Sequence, residues 1–415
     1  MRILFLSNFY PPQDIGGYGM LCLENVDELA KRGHQVKVLT STHGIGHEVV
    51  DGHIHRVLTL ESALDYYKPA STLGYPAAKR RNLERLRTLV AEWQPDVIFV
   101  WGMWSLSKEV ALEAEKLLPG RVVYYLANPW PIEPNMHVQY WDMAAERPAR
   151  RIAKQAMRLF ARWWLAAEWQ KVPLQFQYAP ACSAAQRDQL LNAGVPLKDA
   201  PVIYEGIDLA VYTAQADRRD QGADKAVLQM TIVGTLGQHK GVHTTIEALA
   251  LLPKPLLSRV YLTILGKGHP DYEAYLRSLV EKNQLQDFVT FLKPIPRVEL
   301  PAYLGNYDVL LLPSIWEEPL ARIMQEGMAA GMVVIGAATG GTKEIIQHNT
   351  NGLLFPAADA PCLAAELERV VADSTLRQQL ATQGRADAER LFALARMVDD
   401  LEQYLKDIHA AALSH

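Results

Sequence analysis

The chain has 415 residues, 49% of them apolar, with 42 Lys and Arg against 46 Asp and Glu for a formal net charge of −4. That length is too great for one ordinary core and suits two domains of about 200 residues, while the charge excludes a global drive toward nucleic acid and leaves room only for local basic patches. No run approaches the roughly 18 apolar residues of a membrane span, MRILFLSNFYPPQ lacks a small-residue cleavage site, and Cys22, Cys182 and Cys362 form no C-x-x-C, so a cytosolic protein with buried free thiols and no structural zinc is expected.

RILFLS reads as a buried strand, followed by the loop NFYPPQDIGG and an amphipathic helix marked by Met20, Leu21, Val26, Leu29 and Ala30. Gly33 ends that helix before the strand QVKVLTS. This is a βαβ unit, and the runs DVIFVWG, RVVYYLA and FQYAPACS extend it into a mostly parallel sheet covered by helices. The polar stretch YEGIDLAVYTAQADRRDQGADKAV marks a boundary region. Beyond it LQMTIVG, VYLTILG, FVTFL, DVLLLPS and MVVIGAA repeat the alternation. The expectation is an α/β chain of two doubly wound domains, 1–205 and 206–385, with a helical segment 386–415 able to pack back on the first. Ligands of open α/β sheets sit beyond the carboxyl ends of the strands, so site residues are sought there.

Gly16 and Gly17 in DIGGYGM come too late after the first strand for a dinucleotide fingerprint, which argues against NAD and leaves a glycine loop able to close over a phosphate. Arg147, Arg151, Lys154, Arg158 and Arg162 recur at spacings of three or four, with Ile152, Met157, Phe160, Trp163 and Trp164 among them. Two readings stand for 147–165: a peripheral contact with an anionic membrane, or a surface helix turning its apolar side to the core. Trp130, Tyr140 and Trp141 suit either a sugar-stacking platform or core packing. His43/His47 and His53/His55 lack a third ligand and read as surface residues.

In GTLGQHKGV a strand runs through glycines to Lys240 at a helix start, an order different from a Walker A loop yet suited to a phosphate. In PSIWEEPLARIMQEGMAAGMVV, Pro319 suits the first turn of a helix running to about Ala330, placing Glu318 at its start. Glu318 and Glu326 would then lie about 12 Å apart along the axis and roughly 80° around it, a spacing for an elongated ligand. The N–H groups of Leu320 and Ala321 at the helix N-terminus favour an anion, phosphate above all, and the carboxylates suit sugar and ribose hydroxyls. The bland alternative makes Glu317 and Glu318 partners of the helix dipole and Glu326 a solvated residue, but the small residues after Glu326 favour close packing on the sheet.

Taken in order, the early GG loop, VGTLGQHKGV…IEAL, LTILGKG, YDVLLLPSIWEEP, the glutamate pair, GGTKEII and NGLLF resemble the retaining glycosyltransferases of family 4 (group 1). The resemblance covers nearly the whole chain and implies the GT-B fold, two facing Rossmann-like domains with a cleft between them. It implies that Glu326 binds the ribose of a nucleotide-sugar donor, Glu318 the hydroxyls of the transferred sugar, and Lys240 the diphosphate, with the loop at Gly16 and Gly17 approaching the phosphates. It further implies a UDP- or GDP-hexose donor, no cofactor and no metal, because the helix N-terminus and Lys240 stabilise the departing diphosphate. The leaving phosphate itself then helps deprotonate an acceptor hydroxyl on a polysaccharide, glycolipid or small glycoside.

Two departures stand out. Thr235 occupies a position where many relatives carry arginine, and Ala127-Asn128 replaces a His-Asp pair. Asn128 either hydrogen-bonds a sugar or acceptor or shapes the turn before Pro129, and Arg322 either compensates for Thr235 or points outward. A non-catalytic nucleotide-sugar-binding relative and a sugar-nucleotide epimerase or hydrolase are the alternatives.

Overall fold

The computed structural model describes residues 1–12, 17–62, 67–143, 148–216 and 225–413. The chain divides into two compact units: Met1–Cys182, Arg187–Ile203 and Val398–His415 form the first, Ser183–Gln186 and Tyr204–Met397 the second. In the first, β1 (Arg2–Ser7), β2 (Gln35–Ser41), β3 (Val49–Asp51), β4 (Ile54–Leu58), β5 (Val97–Gly102) and β6 (Val122–Tyr124) build one sheet in the order β3-β4-β2-β1-β5-β6. Every pairing is parallel except that of β3 with β4. β5 is buried along its whole length, which is why it reads as an unbroken apolar run rather than an alternating one. Leu4, Leu6, Ile98, Val100 and Tyr124 centre this core.

Two elements differ from expectation. FQYAPACS contributes isolated bridges, Val123 with Tyr178 and Leu126 with Ala181, instead of a full strand. Pro180 has no N–H to extend the ladder, and Phe176 sits at φ 44. The β3–β4 pair, turning at Gly52, is too short and polar for the apolar-run criterion to find.

The second unit holds β7 (Leu228–Val233), β8 (Val260–Leu265), β9 (Val289–Leu292), β10 (Val309–Leu312), β11 (Val333–Ala337) and β12 (Leu353–Phe355). They form an all-parallel sheet in the order β12-β11-β10-β7-β8-β9, with Met230, Ile232, Leu262, Ile264, Leu311 and Ile335 in its core. The C-terminal helical pattern splits into Ser374–Leu391 and Leu394–Leu413. The break arises because Phe392 O accepts from Ile207 N at 2.8 Å while Leu394 N donates to Ile207 O at 3.0 Å. Within the first unit, Arg32 meets Asp399 and Glu402 at 2.6 and 2.9 Å and His34 meets Glu402 at 2.9 Å, pinning the last helix. Cys22 and Cys182 are buried, but Cys362 is exposed, because it lies in the first turn of a surface helix capped by Asp359. No helix among the described residues is long and apolar enough to cross a membrane.

One buried carboxyl in the first unit controls stability through pH. Glu61 is 4% exposed and accepts a 2.8 Å hydrogen bond from Met136 N. Burial pushes its pKa up to about 7, against the opposing Met136 bond and with Glu168 adding to the rise. The folded state therefore holds this proton where the unfolded chain has released it, and stability falls as pH climbs from the unfolded value to about 7. Nearby His137 is pushed down to about 4 by burial, and its contribution has the opposite slope between that value and its unfolded one. Glu61→Gln isolates the first effect. Urea denaturation should find the variant more stable than the parent by up to about 3 kcal/mol at pH 8, the difference vanishing near pH 4; a pH-independent difference would refute this assignment.

Candidate functional site

The second unit collects the sequence-selected residues at the carboxyl ends of its strands. After β7 the chain passes through Thr235, which is exposed, to the short turn Gln238–Lys240. Gly241 follows at φ 65, and a Cβ there would lie 1.9 Å from the carbonyl oxygen of Pro313. Only glycine permits this approach, and it sets the turn against the end of β10, where Ile315 N donates to His239 O at 2.9 Å.

That contact delivers Lys240 to Glu318. Lys240 Nζ lies 2.6 Å from Glu318 Oε1, and Ser314 Oγ donates to Glu318 Oε2 at 2.8 Å. Lys240 Nζ also sits 5.7 Å from the ring of Trp316, which His239 meets edge-on at 5.6 Å. Burial, then the neighbouring Lys240, lowers the pKa of His239, against the opposing charge of Glu318. The Trp316 Nε1 donor is buried and has no hydrogen-bond partner among the described residues.

The helix after Glu318 starts later than Pro319 suggests: it spans Arg322–Ala329, with Ala321 extended at φ −77, ψ 109. A helix from Pro319 would need the carbonyls of Glu318 and Pro319 for its own first turn. Gly341 N already donates to Glu318 O at 2.8 Å, and Ser183 Oγ to Pro319 O at 2.6 Å. Gly340, at φ 45, and Gly341 make this packing possible, since Cβ atoms on them would fall 2.0 Å from Glu318 O and 2.2 Å from Pro319 O. Leu320 and Ala321 are therefore buried connectors whose N–H groups precede the helix, and Glu318 stands beside the site on a non-helical segment. The helical spacing expected between the two glutamates does not apply.

Glu326 is fully buried, as the small residues following it suggested. Its Oε1 is engaged by Arg297 and, at 3.3 Å, by Nε of Arg322 one turn earlier. Oε2 is buried without a hydrogen-bond partner among the described residues. Arg322 is thus turned inward onto Glu326, with its side chain only 11% exposed, and is not an outward residue. Arg297 is the functional candidate that the sequence reading missed. It lies in KPIPRVEL just beyond β9, where the strand-end rule looks, but nothing local to it announces a partner 29 positions away.

In the first unit, Gly17 begins the helix Gly17–Lys31 after β1, and Tyr18 anchors it by donating to the carbonyls of Trp101 and, at 2.9 Å, Tyr125. Gly16 lies outside the described residues. Asn128 Oδ1 accepts from Trp130 N at 3.3 Å, the turn role considered for it. Trp130 and Trp141 are 2% and 3% exposed and belong to the core, so they offer no sugar platform. Tyr140 stacks on Tyr67 at 4.3 Å. No group of three or more metal-ligating side chains occurs among the described residues.

The family model described as Glycosyltransferase Family 4 matches residues 15–211, and that described as Glycosyl transferases group 1 matches 213–387. The chain is 28% identical over 413 residues to a protein named glycogen synthase from Mycobacterium tuberculosis, covering 94% of this chain and 90% of that one. It is 33% identical over 190 residues to a D-inositol 3-phosphate glycosyltransferase of Pseudarthrobacter chlorophenolicus, 45% of this chain and 44% of the relative. Among solved structures, Anabaena HepE in complex with UDP and glucose superposes with TM-score 0.67 at 20% identity, over 98% of this chain and all of that one. Sucrose-phosphate synthase from Thermosynechococcus elongatus does so with TM-score 0.72 at 22% identity, over 99% of each. Since the two models meet at residue 212 and leave only short terminal segments uncovered, the chain belongs to the group 1 glycosyltransferases of GT-B fold.

Proposed function

We propose that this glycosyltransferase moves a hexose from a nucleoside diphosphate sugar, UDP- or GDP-hexose, to an acceptor hydroxyl with retention of anomeric configuration and without a metal ion. The observation that carries the reading is the pairing of Lys240 with Glu318, beside a buried Glu326 whose second oxygen lacks a partner among the described residues. Lys240 offers its charge to the diphosphate, and Glu318, released from it, accepts from the hydroxyls of the sugar. Glu326 supplies an acceptor for the ribose hydroxyls. The anomeric carbon–phosphate oxygen bond breaks as the acceptor oxygen attacks from the same face, and the acceptor's proton passes to the departing phosphate. Arg297 and Arg322 add positive charge that Thr235 does not supply. Names among the relatives and neighbours, glycogen synthase and a complex with UDP-glucose, support a glucosyl donor.

A thermal-shift screen with UDP, GDP, ADP, CMP, dTDP and NAD tests the donor site. At about 100 times its dissociation constant a ligand adds roughly 2.7 kcal/mol, a rise of several degrees in Tm. UDP or GDP should give it and NAD should not; a flat response to every nucleoside diphosphate would refute the donor site, and a shift without turnover would favour the non-catalytic nucleotide-sugar-binding relative. With the responding nucleotide's hexose as donor, NMR of the product should show the donor's anomeric configuration, and EDTA should leave the rate unchanged.

A further inference from the structure

The helix Pro148–Trp164 is built the wrong way round for an ordinary surface helix. Its apolar side chains face outward: Ile152 is 78% exposed, Leu159 and Trp163 72% each, and Met157, Phe160 and Trp164 between 42% and 49%. At 100° per residue these six span an arc of about 160°. The side that touches the first unit is narrow, with Ala161 and the following Leu165 buried, and it is the cationic side. Opposite the apolar arc, Arg158 pairs with Asp142 at 2.6 Å. Lys154 and Arg162 lie about 60° beyond its two borders, the first 4.1 Å from the ring of Tyr140 and the second 5.5 Å from that of Trp169.

We infer that this helix docks the protein on an anionic lipid surface. An apolar face left in water across about three turns needs a covering medium, since monomeric proteins rarely leave so large a contiguous patch bare. The composition selects a bilayer interface: Phe160, Trp163 and Trp164 form one aromatic cluster with ring centroids 6.0 to 6.2 Å apart, and indole rings favour the headgroup level. Charge selects the lipid. Residues 148–164 contain Arg150, Arg151, Lys154, Arg158 and Arg162 with no acidic residue, in a chain whose net charge is −4. Arg158 stays with Asp142, while Lys154 and Arg162, the described cations nearest the two borders of the arc, carry the charge that attracts anionic headgroups when the arc enters the headgroup and acyl boundary. The reading of this segment as a surface helix with its apolar side in the core is overturned by these exposures.

Flotation of the full chain with vesicles of phosphatidylcholine alone, and with roughly one-third phosphatidylglycerol, tests the inference. The anionic vesicles should retain at least about 10-fold more protein, and added salt should weaken the retention. Phe160→Ser combined with Trp163→Ser should lose that retention with Tm and nucleotide-induced shift unchanged, and Trp163→Phe should keep it. Equal, negligible retention on both vesicle types overturns the inference. So does a mass measurement showing a dimer that the double variant dissociates, which would assign the face to a second copy. Nucleotide binding is read separately, so failure here leaves the donor-site reading untouched.

Discussion

Lys240→Ala is expected to lower transfer about 10²- to 10³-fold, the range for removing one positioned group that stabilises developing charge. Lys240 pairs with Glu318 at 2.6 Å, with side chains 26% and 16% exposed. Losing a partly exposed ion pair of this kind costs about 1 kcal/mol, because Ser314 still holds the other oxygen of Glu318. Activity should therefore collapse while Tm moves by only a few degrees. Glu318→Ala should lose activity comparably, and the double variant should be little worse than either single one, since the two residues act as a unit. Steady-state kinetics with the responding donor decides the matter. Full transfer activity in Glu318→Ala would remove that residue from the chemistry; a loss confined to KM in Lys240→Ala would make the lysine a binding residue only.

Glu326→Ala should cost both stability and donor affinity, which distinguishes it from Lys240→Ala. The carboxylate is fully buried between two arginines, and removing one member of a buried charge cluster typically costs 3–5 kcal/mol, roughly, through the charges left behind. Glu326→Gln keeps the shape and one acceptor oxygen but loses the charge, so urea denaturation should find it less perturbed. Calorimetric titration should find its affinity for the nucleoside diphosphate about 10- to 100-fold weaker, the worth of a hydrogen bond to a charged group. A folded Glu326→Gln with undiminished affinity would make Glu326 a structural counter-ion of Arg297 and Arg322. Arg297→Ala separates these cases further. If Arg297 only shields Glu326, its removal should leave affinity unchanged or raise it; a fall would place the arginine in the binding of the donor.

The candidate residues of the second unit were legible because they lie in the segments that follow strands easy to see in the sequence. β7 and β10 are parallel and mostly buried, so they appear as apolar runs; Lys240 and Glu318 follow them closely, and Glu326 lies on the helix between β10 and β11. The burial of Glu326 was legible too, from the small residues after it, which pack the helix on the sheet: a Cβ on Gly327 would stand 2.5 Å from Leu310. The start of that helix was not. Pro319 carries a strong local signal for a first turn, and it lost to carbonyl partners supplied by Gly341 and Ser183, each more than twenty residues away or in a different segment.

By itself, then, the sequence determined the two mostly parallel-sheet units and the residue types gathered beyond the strand ends, because these follow from local burial patterns. The partner of each charge was decided only by tertiary structure. Arg297 on Glu326 and the core positions of Trp130 and Trp141 are contacts between segments distant in the chain, whereas Arg322 stands one helical turn from Glu326 and is brought inward with it by the burial of that turn. The outward face of the helix Pro148–Trp164 belongs with them: its periodicity shows that two faces exist, while Asp142, Tyr140 and Trp169 choose which one meets the protein, since they draw the cationic side inward.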